Sequence, residues 1–145
     1  DSWADVDEQI NCIDTFSWLA FASPNSVDRF INRVLQTSGD IRDLGRLKIA
    51  AVGPATTKRV ESYHLSVALT PEEHHAECLA KALCVTMSDG ERLLYPRAAK
   101  GRDVIPSLVR ETGFHVEDVV VYQTVKSSEV PQVALDLLVH LLFVI

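Results

Sequence analysis

What this sequence has little of narrows its chemistry first. Its 145 residues include 3 cysteines, Cys12, Cys78 and Cys84. They form no CxxC pair, and an odd count gives no disulfide framework, so a reducing compartment is expected, the cytoplasm or an organelle interior. The 6 glycines are not arranged as a dinucleotide fingerprint, and no GK[ST] phosphate loop occurs. Positive charge is also scarce, with 14 basic against 20 acidic residues and a formal net charge of −6. Nucleic acid and anionic membranes both demand a basic face, so neither is an expected partner. An anionic small molecule remains compatible, because a few cations and backbone amides suffice to hold it. No initiator Met precedes Asp1, no targeting segment is visible, and the first residue is not expected to be the native start.

What is present describes a globular chain. A 47% apolar and 23% charged composition fits one compact domain with a single sizeable core. Short apolar runs alternate with segments of helical period. Five runs read as strands: Trp18 to Ala22, Lys48 to Val52, Val67 to Leu69, Arg92 to Tyr95, and Val116 to Tyr122. Near-continuous apolar runs suit strands covered on both faces. Helices are expected between them. Val27, Phe30, Ile31 and Val34 form one apolar stripe, Thr56 to about Tyr63 a second helix, and Ala76 to Val85 a third. Val104, Ile105, Leu108 and Val109 form a fourth, closed by Gly113. The alternation predicts an α/β fold, a flavodoxin-like doubly wound and mainly parallel five-stranded sheet with helices on both faces. Acidic Asp5, Asp7 and Glu8 read as a solvated lead segment, and Glu72-Glu73 as the charged start of a helix. From Ala134 to Ile145 nearly every residue is apolar, which is too short to span a bilayer and is expected to be buried against a partner. The expected organisation is one lobe over residues 1–126 and an apolar tail over 127–145.

In open α/β sheets ligands bind beyond the carboxyl ends of the strands, and three turns there have suitable character. In Phe21-Ala22-Ser23-Pro24-Asn25-Ser26, Ser23 is placed as a helix N-cap and Pro24 as the first helical residue. The amides of Asn25 and Ser26 would face an anion, although ordinary capping explains the same residues. In Val52-Gly53-Pro54-Ala55-Thr56-Thr57, one glycine allows close backbone approach and two threonines add hydroxyls, although a plain strand-to-helix turn would read the same. In Tyr95 to Asp103, Arg97, Lys100 and Arg102 gather three cations, and Arg97 and Arg102 suit carboxylates; a solvated basic turn is the structural alternative. Tyr122 ends an apolar run and can bring a phenol to the same edge, as proton donor or as a packed ring with a wet tip. His74, His75 and Cys78 lack a second half-site with metal spacing and read as helix-surface residues. His64, His115 and His140 are isolated, and no GxSxG-type nucleophile occurs.

Four blocks then occur in order: FASPNSV at 21–27, KIAAVGPAT at 48–56, LLYPRAAKGRDVIPSLV at 93–109 and VVVYQTV at 119–125. Together they resemble the uroporphyrinogen-III synthase family over roughly Phe16 to Val125. That resemblance implies two flavodoxin-like lobes with the substrate between them, no metal and no organic cofactor. The implied reaction cyclises hydroxymethylbilane with loss of water and inversion of the last pyrrole ring. By the same resemblance Tyr122 assists departure of the hydroxyl. Ser23, Asn25 and Ser26 belong to the first substrate-binding turn and Gly53, Ala55 and Thr56 to the second; Arg97 is added as a substrate-binding candidate from the basic turn read above. Ala22 stands where the family usually has Thr, which removes one hydroxyl from the first turn. The chain is accordingly expected to hold one whole lobe of such a synthase and to need a second lobe, or self-association, for activity. Two alternatives stand beside this reading. A non-catalytic anion-binding α/β module would keep the same turns. A receiver-like signalling domain would need an acidic cluster and a lysine at the strand ends, where Ser23, Gly53 and Arg97 stand instead.

Overall fold

The computed structural model describes residues 3–100 and 104–122. Helix α1 (Ala4–Asn11) leads into β1 (Trp18–Phe21), α2 (Pro24–Thr37), β2 (Lys48–Ala51) and α3 (Pro54–Glu61). Then come α4 (Ala76–Thr86), β3 (Arg92–Ala98), α5 (Val104–Glu111) and β4 (His115–Tyr122). The strands form one sheet in the order β2-β1-β3-β4, parallel throughout.

Side-chain alternation divides the core into two layers. Leu19, Phe21, Ile49, Leu94, Val119 and Val121 point to one face and meet Val27, Phe30, Ile31 and Val34 of α2, Val60 of α3, and Val6 and Ile10 of α1. Trp18, Ala20, Ala50, Leu93, Tyr95 and Val116 point to the other and meet Leu79, Ala80 and Leu83 of α4 and Ile105 and Val109 of α5. All four β1 residues are buried, the environment their continuous apolar run anticipates. Phe21 and Phe30 anchor the first layer, with ring centroids 6.1 Å apart and tilted by 58°. Each such ring removed from water contributes about 2 kcal/mol.

Several expectations are corrected. The described sheet has four strands, not five. The run from Val67 to Leu69 makes only an isolated bridge between Ala50 and Leu69, through Ala68 N–H to Ile49 O (2.8 Å) and Ala51 N–H to Leu69 O (3.0 Å). Its side chains are half-buried or exposed, and Pro71 just beyond has no N–H for a longer ladder. The acidic lead segment is helical, with Val6 and Ile10 one turn apart and buried. Arg33 fixes it from α2 by donating to both Asp7 oxygens at 2.8 and 2.7 Å, while its guanidinium lies 5.0 Å over the Trp3 ring. That paired hydrogen bond holds the Asp7 carboxyl below the usual carboxylate range. Glu72 and Glu73 precede helix α4 rather than open it, since His75 takes the N-cap position with extended backbone. The apolar tail and the expected boundary at 126 lie outside the described residues.

Strand β3 carries Pro96 inside a sheet, which requires a position where no amide is needed. Ser17 N–H donates to Arg92 O at 3.0 Å and Ala99 N–H to Tyr122 O at 2.9 Å. Even-numbered residues of β3 therefore face β1 and odd-numbered ones face β4. The ladder with β1 stops at Leu94, so the missing Pro96 amide faces no β1 partner. The same alternation turns Arg97 toward the α5 side, where its Nε donates to Asp118 Oδ2 at 2.8 Å. Arg110 of α5 completes the clamp on Asp118 Oδ1 at 2.8 Å and on Val116 O at 2.8 Å.

Burial by itself would raise the Asp118 carboxyl, but the hydrogen bonds from Arg110 and Arg97 outweigh it and hold the group below its ordinary value. A folded-state pKa below the unfolded value gives stability that is present above the unfolded pKa of about 3.9 and is lost as pH falls through the folded one. Replacement by alanine should cost about 2 kcal/mol at neutral pH. Urea midpoints followed from neutral pH to about pH 3 should fall more steeply for the parent chain than for Asp118→Asn, whose amide cannot titrate. Parallel curves would show that the clamp contributes nothing to acid sensitivity.

Candidate functional site

Strand β1 pairs with β2 on one side and β3 on the other, so chain progression reverses direction at β1. In an open α/β sheet this opens a crevice at the carboxyl edge. Phe21 and Ala51 are register partners at that edge, and Val52 N–H donates to Phe21 O at 3.1 Å. The turns after β1 and β2 are therefore held side by side, each opening a helix.

In the first turn Ser23 has extended backbone and caps α2, its Oγ accepting from Ser26 N–H at 3.2 Å. Pro24 follows at the first helical position, where a missing amide costs nothing and the fixed φ suits the helix. Ser26 is 2% exposed and its Oγ lies 3.0 Å from Ser23 Oγ. On the other side Ser23 Oγ lies 3.3 Å from Tyr122 Oη. Three hydroxyls thus form a row from α2 to the end of β4, and each hydroxyl can rotate to donate in either direction. The phenol is half-buried, its ring packed against the layer that contains Phe21. Asn25 is exposed at the first turn of α2.

In the second turn Gly53 caps α3 with backbone alone. A Cβ there would meet His74 Cβ and Cγ, each at 3.0 Å, so the glycine allows the segment before α4 to press against the turn. Ala55 is exposed, Thr56 is buried, and Thr57 Oγ1 is buried without a hydrogen-bond partner among the described residues. The first amides of α3 lack helical acceptors and carry the positive end of its dipole. With the Ser23 turn they make a donor set suited to an anion.

Arg97 does not join this set. Its guanidinium is tied to Asp118 and to the carbonyls of Ala98 at 3.0 Å and Ala99 at 3.4 Å. It shapes the backbone at the end of β3 instead of projecting from the edge. Arg102 lies outside the described residues. Sequence reading named both ends of the Ser23–Tyr122 contact but not the contact, because 99 residues separate them and no spacing rule relates them. It missed Asp118 altogether, since the partner of Arg97 is set by the β3–β4 register.

Comparison with known proteins decides the family. The family model described as Uroporphyrinogen-III synthase HemD matches residues 1–142. The chain belongs to the uroporphyrinogen-III synthase family. It is 31% identical over 135 residues to the uroporphyrinogen-III synthase of Synechococcus elongatus, covering 92% of this chain and 50% of that protein. It is 30% identical over 114 residues to the synthase of Chlorobaculum parvum, covering 78% and 46%. The crystal structure of uroporphyrinogen III synthase from Thermus thermophilus shares the fold, with a TM-score of 0.64 at 13% identity over 93% of this chain and 53% of that one. The chain therefore spans about half the length of the curated synthases it matches. Among the described residues no helix is long and apolar enough to cross a membrane.

In this member of the uroporphyrinogen-III synthase family, Ser23→Ala should cost about 1 kcal/mol through loss of the α2 cap. Ser23→Gly should cost only a few tenths, because glycine caps nearly as well. Both remove the contact to Tyr122. Equal losses for the two, read from denaturant melts, would mean that stability at this turn comes from the hydroxyl row and not from capping.

Proposed function

We propose that this chain supplies one substrate-binding lobe of a uroporphyrinogen-III synthase, with Tyr122 at the reacting end. The reaction is cyclisation of hydroxymethylbilane with loss of water and inversion of ring D. The observation that carries this reading is the meeting of Ser23 and Tyr122 at the carboxyl edge, beside the amide-rich turn at Gly53, in a chain of this family. The lobe is read as residues 1–126 and as flavodoxin-like, since β2-β1-β3-β4 fits the first four positions of that strand order. Residues 127–145 are read as the start of the return into a second lobe.

The protein's part in such chemistry is placement and charge handling. The substrate's carboxylates are held by the amides at Asn25, Ser26, Ala55 and Thr56 and by hydroxyls, with Gly53 admitting close approach. Fixing the chain in a bent form brings the terminal carbon and the attacking ring together before reaction. The electron-rich pyrroles expel the hydroxyl, and the Tyr122 phenol donates to that departing oxygen while itself uncharged. Ser23, pinned by its capping bond, keeps the phenol aimed. Arg97 serves indirectly, by fixing the carbonyls of Ala98 and Ala99.

The test is the isomer ratio of uroporphyrinogen formed from freshly generated hydroxymethylbilane by a protein carrying this lobe. Isomer I forms spontaneously, so excess isomer III is the expected result. Tyr122→Phe should lower the rate of isomer III formation about 100-fold with the unfolding midpoint little changed. Binding of the linear tetrapyrrole with isomer I alone as product would favour the non-catalytic anion-binding module. An unchanged rate in Tyr122→Phe would remove the phenol from the mechanism.

A further inference from the structure

The segment that presses on Gly53 holds a second group of chemically matched side chains, apart from the hydroxyl row. Glu73, His75 and Cys78 each offer one ligand atom, and these atoms lie within 4.8 Å of one another. The sequence reads His74, His75 and Cys78 as helix-surface residues; in the fold His74 lies against the Gly53 turn, and His75 is the histidine that approaches Cys78. His75 is the N-cap residue of α4, yet its ring makes no capping bond. Cys78 sits one turn into the helix, and its thiol lies 3.8 Å from Glu73 Oε2. Glu73 and His75 are exposed and Cys78 half-buried, so solvent and ions reach all three.

We propose that Glu73, His75 and Cys78 form a binding site for a divalent transition metal of the zinc type. Thiolate, imidazole and carboxylate together select such an ion over magnesium or calcium, which prefer all-oxygen shells. Bonds of about 2.0–2.3 Å place tetrahedral donors roughly 3.3–3.8 Å apart. The two exposed side chains can make up the difference by changing rotamer. His75 and Cys78 are fixed on the first turn of one helix, and water completes the fourth position. Binding releases the Cys78 thiol proton to solvent, with no change of oxidation state, and the ion replaces that proton as the partner of Glu73. The site rests on the geometry of this segment and is independent of the tetrapyrrole reading.

Titration of the 145-residue chain with cobalt(II) is the test, with zinc as competitor. One equivalent should produce a thiolate-to-cobalt charge-transfer band that zinc abolishes. Cys78→Ser should eliminate the band, and His75→Ala and Glu73→Gln should each weaken binding by at least about 10-fold. Apparent affinity should drop as pH is lowered, because protons compete for the same thiol and imidazole. Zinc should raise the thermal midpoint of the parent chain and leave that of Cys78→Ser unmoved. The metal-free midpoints of the three variants should stay close to the parent's, which separates lost binding from lost folding. Absence of the band, or a band that survives Cys78→Ser through Cys12 or Cys84, would overturn the proposal.

Discussion

The alignment of β1 between β2 and β3 is the constraint on which the rest of this structure depends. A parallel ladder fixes not only which strands touch but where each one ends. With Trp18 level with both Lys48 and Leu93, the turns at Ser23 and Gly53 emerge together. Strands β3 and β4 run past them to carry Tyr122 above Ser23. A one-residue slip in this register would turn every buried side chain of β1 to the opposite layer. The two apolar layers that make the fold stable therefore also fix the position of the hydroxyl row.

Charge is used sparingly and mostly as fastening. Asp7 with Arg33 attaches α1 to α2, and Asp118 of the edge strand β4 ties to Arg97 of β3 and Arg110 of α5. Tyr63 and Arg59 of the α3 region both reach Asp28 on α2, and burial, followed by the hydrogen bond to Asp28, pushes the Tyr63 phenol up to about 12. The turns at Ser23 and Gly53 present neutral hydroxyls and backbone amides. Fixed dipoles of that kind can hold an anion without burying a cation whose desolvation would be expensive.

The same edge shows how one segment can bear on two sites. The stretch before α4 lends His74 to the wall against Gly53, and its neighbours Glu73 and His75 converge on Cys78. Glycine at position 53 admits that approach; any larger residue would meet the imidazole of His74. The absence of a strand at Val67 to Leu69 is part of the same geometry, since a chain held by a single bridge to β2 is free to turn back over the α3 entrance.

The sequence by itself determined the α/β class, three of the four described strands, four of the described helices, and the turns at Ser23 and Gly53. It ended β3 at Tyr95, whereas the strand runs on to Ala98 and takes Pro96 and Arg97 out of the expected turn. Apolar runs, the Ser23-Pro24 and Gly53-Pro54 starts, and Gly113 with its φ of 104° are local signals whose meaning does not depend on distant partners. It failed at α1, where acidic residues concealed a stripe of only Val6 and Ile10, and at Val67 to Leu69, where β-forming residues had too little edge to pair along. The tertiary structure alone decided which side chains met. Ser23 found Tyr122, Arg97 was drawn to Asp118 and away from the open edge, and Glu73 joined His75 and Cys78. Those contacts follow from strand register and helix docking, which sum many weak packing terms along the chain and leave no spacing in the sequence to read.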